Sequence, residues 1–251
     1  MRKEILEQIS SLEKEQDIKI LLAVESGSRA WGCPSPNSDY DVRILFHRKQ
    51  SDYLEIDDKP DNIDYFHGEL LDINGWDIKK ALKLIRKSNV TPFEWAQSPI
   101  TYKEVDNFSQ KILELCRQYF NPYHSVNHYR GIAKNTFLKM PDQGEVNLKK
   151  MFYILRPIMA AKWIATKQEV PPMDIPKLIT IIDDKEVVNK INELLLIKKD
   201  ANEDFTLEVD SLLFSYIKSE MAFLENVNLE SSNKTQDSTP LNLAFKEIIN
   251  T

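Results

Sequence analysis

The sequence predicts an α+β protein: a small mixed sheet with flanking helices, followed by a helical domain from about residue 104. Two observations carry this. Short β-rich apolar runs, 18–24, 40–46 and 63–73, are confined to the first third of the chain. After Gly75 the apolar period changes to 3.6, and helices dominate from there on. At 251 residues the chain holds one large domain or two modest ones. With 42% hydrophobic and 29% charged residues it has globular proportions, which excludes a disordered, collagen-like or disulfide-scaffold protein.

Taken in order, residues 3–15 set Ile5, Leu6, Ile9 and Leu12 at helical spacing. Ile18 to Val24 reads as a buried strand that ends at Glu25-Ser26-Gly27-Ser28, with Gly27 placed for a tight turn. Ser28 to Trp31 begins a short helix, cut off by the breaker-rich stretch 32–37. Tyr40 to Phe46 is the next strand, 49–62 a polar acidic loop, and 63–73 a further extended stretch around Gly68. Trp76, Ile78, Ala81, Leu82 and Ile85 then share a helical face, with Asp77 at the helix start. Segments near 105–120, 122–138, 147–167, 174–182, 184–198 and 207–226 read as helices, 228–240 as a flexible linker, and 241–250 as one short helix. The expected domains are 1–103, 104–226, and a linker with a short helix over 227–251.

No apolar run approaches the ~20 residues of a membrane span, and the first residues lack the features of a signal peptide. A cytoplasmic protein without membrane contact is expected. Cys33 and Cys116 lie far apart with no paired ligands nearby, so structural thiols are expected rather than a disulfide or zinc site. The net charge of −6 is unevenly spread. From Asp52 to Asp77 there are nine acids and one Lys; from Asn127 to Lys167 there are eight Lys or Arg and two acids. Such a basic stretch can bring a polyanion to one face of an acidic protein, or be a solvated helix face.

The block that carries chemistry is Gly27-Ser28-Arg29-Ala30-Trp31-Gly32, followed by Ser38-Asp39-Tyr40-Asp41-Val42-Arg43. Asp39 and Asp41, two apart in a predicted strand, project from one face and repel each other unless a cation intervenes. Mg2+ or Mn2+ suits such oxygen ligands and keeps positions open for substrate phosphates. A Gly-Ser turn leading into a helix offers backbone N–H groups and a hydroxyl to a terminal phosphate. Turn and carboxylates together can clamp a nucleoside triphosphate from two sides.

This block resembles the signature of the DNA polymerase β-like nucleotidyltransferase superfamily, and within it the RNA-repair nucleotidyltransferases that accompany RNA ligases. The similarity extends through Leu71-Asp72-Ile73-Asn74-Gly75-Trp76-Asp77, Lys80-Ala81-Leu82, Glu94-Trp95 and 98–102. It continues through His128-Tyr129-Arg130-Gly131-Ile132-Ala133, the run 149–157 and Pro171-Pro172, with one departure, Asn89-Val90 where the family has Asn-Pro. The resemblance implies a third carboxylate on a neighbouring strand. Asp64, Glu69, Asp72 and Asp77 are candidates. Asp72 is preferred for its place in the matching segment and Asp64 is the runner-up, whereas Asp77 suits a helix start.

The expected reaction is transfer of a nucleoside monophosphate from an NTP to an acceptor hydroxyl, with release of pyrophosphate. Asp39, Asp41 and Asp72 are the expected catalytic and metal-binding residues, with Mg2+ or Mn2+ as cofactor. Gly27, Ser28, Arg29, Arg43 and Lys80 are the nucleotide-binding candidates. Arg130, Lys134, Lys149, Lys150 and Arg156 are candidates for holding an RNA end, the acceptor the resemblance suggests. The alternatives are nucleotidylation (AMPylation) of a protein or small molecule, and an inactive nucleotide-binding module. Trp76, Trp95 and Trp163 are read as core residues, and His128 as a hydrogen-bonded helix-start histidine.

Overall fold

The computed structural model describes residues 1–68, 70–141, 143–229 and 237–250. Helix α1 (Arg2–Gln16) buries Ile5, Ile9 and Leu12 and stops at Asp17, whose φ of 49° is left-handed. Then come β1 (Lys19–Glu25), the single turn α2 (Gly27–Ala30) and β2 (Tyr40–His47). After a 3₁₀ turn at Gln50–Leu54, β3 (Asn62–His67) and β4 (Leu71–Asp77) form an antiparallel hairpin that turns at Gly68. The extended stretch read over 63–73 is therefore parts of two strands. Helices α3 (Ile78–Arg86) and α4 (Val90–Ala96), the short strand β5 (Thr101–Glu104) and α5 (Phe108–Tyr119) follow.

The five strands lie in the order β3-β4-β2-β1-β5, with β2 and β4 parallel and every other pair antiparallel. One face packs on α1, where Val42, Ile44, Phe46, Leu71 and Ile73 meet Ile5, Ile9 and Leu12. Gly75 belongs to this face and has no room for more, because a Cβ there would lie 2.4 Å from Ile44 Cγ1. Strand alternation turns the intervening residues to the opposite face, Asp41 and Arg43 from β2 and Asp72 and Asn74 from β4. Trp76, expected on a helix, is in β4 on that opposite face and packs against Trp95 of α4, with ring centroids 4.3 Å apart. The helix period misplaced it because the strand runs on to Asp77.

A second group of elements comprises α6 (Pro122–Phe137), β6 (Glu145–Asn147), α7 (Leu148–Lys167), α8 (Ile175–Leu178), α9 (Lys185–Asp200), β7 (Thr206–Glu208) and α10 (Ser211–Asn226). Asn121, Asn147, Asp174, Asp184 and Asp210 each cap a helix by accepting hydrogen bonds from first-turn N–H groups. Helix α7 is the centre of this unit, burying Met151, Phe152, Leu155, Ile158 and Ile164 among others. Strands β6 and β7, which had no counterpart in the sequence reading, pair antiparallel.

The chain divides into two compact units that are interleaved along it. The first holds Met1–Ala30, Asp39–Phe120 and the stretch carrying α11 (Thr239–Ile249); the second holds Trp31–Ser38 and the chain from Asn121 through α10. Helix α5 thus joins the sheet unit, beyond the boundary read at 103/104, because Phe108, Ile112 and Cys116 are buried against α4 and β1. Of the linker read over 228–240, residues 230–236 lie outside the described residues, as does Glu69, and Thr239 already opens α11. Among the described residues no helix is long and apolar enough to cross a membrane.

Candidate active site

The Gly-Ser turn sits where β1 ends, and β2 runs beside it. Gly27 has φ +58°, and a Cβ on it would meet Asp41 Oδ2 at 2.1 Å. Glycine is required both by the backbone conformation and by the carboxylate that presses on it. The neighbouring Ser26 N–H donates to the Asp41 carbonyl at 2.8 Å, which ties the turn to β2. Ser28 is buried in the same turn. Arg29 donates from Nε to the Asp39 carbonyl at 3.0 Å, and its guanidinium lies 3.7 Å over the Tyr40 ring. Asp39 itself lies one residue before β2, not within it.

The parallel register of β2 and β4 sets Asp41 opposite Asp72. Arg43 Nη2 lies between them, 3.0 Å from Asp41 Oδ1 and 2.9 Å from Asp72 Oδ2. All three side chains are partly exposed, so the pair of ion pairs is open to solvent and to a ligand. The guanidinium supplies the cation that like-charged neighbours demand. Among the described residues no group of three or more His, Cys, Asp or Glu side chains is gathered closely enough to hold a metal. The two carboxylates that do face each other, Asp41 and Asp72, are of the donor type a hard divalent cation takes, with the Gly27 cradle against Asp41.

Beneath these residues lies an acid whose part the sequence reading missed. Glu25 is fully buried, and its Oε1 accepts from the Asp41 backbone N–H at 2.9 Å. Its other oxygen accepts from the Tyr102 hydroxyl, while the Ser98 hydroxyl donates to its carbonyl at 2.6 Å. Burial raises the Glu25 carboxyl above the ordinary glutamate range, against the lowering effect of the Tyr102 and Asp41 hydrogen bonds. An acid at the end of an apolar run reads as the start of a turn. The sign of its role was the family segment 98–102, which carries both of its other partners.

The remaining candidates fall in several places. Asp64 is exposed in β3, one strand farther out, accepting from Asn62 at 2.9 Å and from Asn74. Asp77 caps α3 by accepting from the Lys79 N–H at 2.8 Å, as its position at a helix start implied. Lys80 is not brought to the Gly-Ser turn. It pairs with Asp61 at 2.9 Å beyond the far end of β4, and Asp72 and Asp77 are about 17 Å apart along an extended strand.

In the second unit, the five cations proposed for an acceptor do not all reach the surface. Arg156 is buried, its guanidinium donating to the Met173 carbonyl and lying 4.7 Å from the Trp31 ring centroid. It is a core residue, because α7 turns this position inward. Arg130 donates to Asn127 and to the Leu224 carbonyl, Lys134 pairs with Glu225, and Lys149 pairs with Glu203; Lys150 is exposed.

The segment Trp31–Ser38, which joins the Gly-Ser turn to Asp39 along the chain, is fastened by polar contacts within the second unit. Buried Lys198 donates to the Ser35 hydroxyl at 2.9 Å. Ser38 donates to Glu203 at 2.9 Å, the Glu203 N–H donates to Asn37, and the Ile175 N–H donates to the Trp31 carbonyl. Burial holds the Lys198 ammonium below the ordinary lysine range.

Comparison with known proteins gives these residues a family. The chain is 35% identical over 240 residues to the uncharacterized protein YcgL of Bacillus subtilis (strain 168), covering 95% of this chain and 92% of that protein. A crystal structure of a nucleotidyltransferase-like protein from Exiguobacterium sibiricum 255-15 aligns with 89% of this chain and 74% of its own, at 12% identity and a TM-score of 0.32. Residues 1–247 match the RNA repair pathway DNA polymerase beta family. On that match and on the YcgL relationship, this chain belongs to the RNA repair pathway DNA polymerase beta family.

Proposed function

We propose that this protein transfers a nucleoside monophosphate from an NTP to a hydroxyl acceptor, with an RNA end as the acceptor. The observation that carries the transfer reading is the convergence of Gly27, Asp41 and Asp72. A backbone turn built to approach closely stands against one carboxylate, and a second carboxylate faces the first across parallel strands. The RNA end rests on the family alone.

In this reading the Gly27–Ser28 turn receives the terminal phosphates of the NTP on its backbone N–H groups and hydroxyl. Asp39, Asp41 and Asp72 would hold Mg2+ or Mn2+, which supplies neutralisation of phosphate charge and a more acidic acceptor hydroxyl. The acceptor oxygen forms a bond to the α-phosphorus, the bond to the bridging oxygen breaks, and pyrophosphate leaves. The hydroxyl proton passes to the Asp72 carboxylate. Arg43 neutralises Asp41 and Asp72 until substrate arrives and then faces the phosphates. Glu25 holds the Asp41 backbone, and with it the height of the carboxylate above the sheet.

The test is transfer of label from an α-labelled NTP to RNA, to protein and to small hydroxyl compounds, with and without chelator. RNA labelling that chelator abolishes is expected. Asp41→Asn and Asp72→Asn should each lower it at least ~100-fold, since each removes a charged ligand. Asp64→Asn should stay within about threefold, because Asp64 is exposed and held by two asparagines. Labelling of protein or a small molecule instead of RNA would replace the acceptor. Binding of NTP without transfer to any acceptor would leave a binding module.

A further inference from the structure

Between Asp77 and Glu94 the chain carries five Lys or Arg and no acid, a stretch as basic for its length as any in this acidic protein. Helix α3 buries Ile78, Ala81, Leu82 and Ile85, which leaves its cations on the outer surface. Lys79 and Lys83 are one turn apart, about 6 Å along the axis, and Arg86 follows on the same flank. Arg86 donates to the Ser238 hydroxyl at 2.8 Å and the Lys79 ammonium lies 6.0 Å from the Tyr53 ring centroid, but none of the three makes an ion pair among the described residues, whereas Lys80 is matched by Asp61. Lys134 and Lys149 are likewise matched, by Glu225 and Glu203.

Along this flank runs a groove of about 270 Å³ between α3 and α11. Lys79, Lys83 and Arg86 wall one side; Leu241, Asn242 and Phe245 from α11 wall the other, and no carboxylate lines it. Phe245 is half-buried, held edge-on by Tyr53 at 5.1 Å between centroids. Three cations without a carboxylate partner select a ligand carrying several negative charges. A fixed aromatic ring and an amide inside the same groove select one that also has flat, hydrogen-bonding rings. The volume is slightly under the usual range for a small-molecule site and suits one nucleotide unit of a longer strand. An anionic membrane would meet a flat surface with exposed apolar side chains, not a walled groove.

We propose that the α3–α11 groove binds single-stranded polynucleotide. The three cations take consecutive backbone phosphates, one base lies against Phe245, and Asn242 faces the base edge. The groove is beyond the far end of β4 from Asp72, so it holds the body of a strand and not its reacting end. The inference that this strand is the acceptor rests on the transfer reading; the binding does not.

The experiment measures fluorescence anisotropy of labelled twelve-residue oligo-U and oligo-dT with the full chain, from 50 to 200 mM salt. Three phosphate contacts on a single strand give a log–log salt slope of magnitude about 2, and thus roughly an eighteenfold loss of affinity over that range. The double charge reversal Lys83→Glu/Arg86→Glu changes two exposed side chains and should weaken binding at least tenfold and flatten the slope. The neutral pair Lys83→Gln/Arg86→Gln should show a smaller loss of the same kind, and labelled NTP affinity should stay unchanged in both. Phe245→Leu should weaken binding several-fold without altering the slope. The proposal is overturned if the unaltered protein binds neither oligonucleotide, or if the charge reversal leaves binding intact while Lys149→Ala/Lys150→Ala removes it. It is equally overturned if only vesicles rich in phosphatidylserine are bound. Salt-dependent binding through α3 in a protein that transfers no nucleotide would uphold the groove and defeat the transfer reading.

Discussion

Asp41 and Asp72 face each other across a parallel strand pair and share a single nitrogen of Arg43, at 3.0 and 2.9 Å. An internal cation therefore occupies the space between the two carboxylates to which a bound metal would be drawn. Arg43→Ala should leave that charge uncompensated, lowering stability in chelator by about 1 kcal/mol. It should also tighten direct Mn2+ binding by roughly fivefold to tenfold, the size expected for removing one nearby like charge in a partly exposed site. Denaturant unfolding in chelator reads the first effect and isothermal titration with Mn2+ the second. Weaker Mn2+ binding by the variant would mean that Arg43 orients the carboxylates and does not compete for them.

Two glycines predict opposite outcomes of one substitution. Gly27→Ala meets Asp41 Oδ2 at 2.1 Å and a left-handed φ of +58°, so it should cost about 1–3 kcal/mol and displace the carboxylate. Gly131 lies inside α6 with nothing within 4 Å of its missing Cβ. Its replacement by Ala should stabilise the protein by about 0.5–1 kcal/mol through helix propensity alone. Denaturant unfolding of the two variants checks the sign of each.

Glu25 gives stability a pH dependence. Its folded carboxyl is raised by burial, so between the ordinary glutamate value and the raised one the folded chain binds more protons than the unfolded chain. Stability from this group is full at low pH and is lost as pH rises through the raised value. Buried Asp77, also raised by desolvation, acts in the same direction. Glu25→Gln can keep an acceptor for the Asp41 N–H and removes the titration, so its unfolding free energy should fall less steeply with pH above the ordinary glutamate range. Equal slopes for the variant and the unaltered protein would assign the dependence to other groups.

The clamp on Trp31–Ser38 can be loosened from within its own unit. Lys198→Met keeps the length and apolar stem, deletes the bond to Ser35, and removes an ammonium that burial disfavours. The variant should fold, and the amides of 31–38 should exchange with deuterium several-fold faster while those of α7 do not. Unchanged exchange would show that the carbonyl and amide contacts of Trp31 and Asn37 hold the segment without Lys198.

The helices were legible because amphipathic periods and Asn or Asp caps mark them locally: 122–138 and 147–167 became Pro122–Phe137 and Leu148–Lys167. β5 was not legible, since three half-buried residues and an exposed one make no alternation strong enough to read and are a strand only through pairing with β1. Within the site, Gly27 and Asp41 were visible as a spacing, because a turn and a neighbouring strand return to the same place. Charge counting failed at Arg156, where a carbonyl and two aromatic rings form a pocket for a guanidinium, and proximity along the chain failed at Lys80, which an extended strand carries away from Asp72. Glu25 and the Lys198–Ser35 contact depend on residues 73 to 163 positions apart, beyond the reach of any local pattern.

The interleaving of the two units has a consequence for synthesis. A ribosome delivers α1 to α5 before the helices of the second unit, and α11 after them. The sheet unit therefore lacks the α11 wall beside α3 until the helices of the second unit have been made. A released chain truncated after α10 should carry every element of the helical unit and a sheet unit without α11, the state in which a chaperone or a competing strand would find it most receptive.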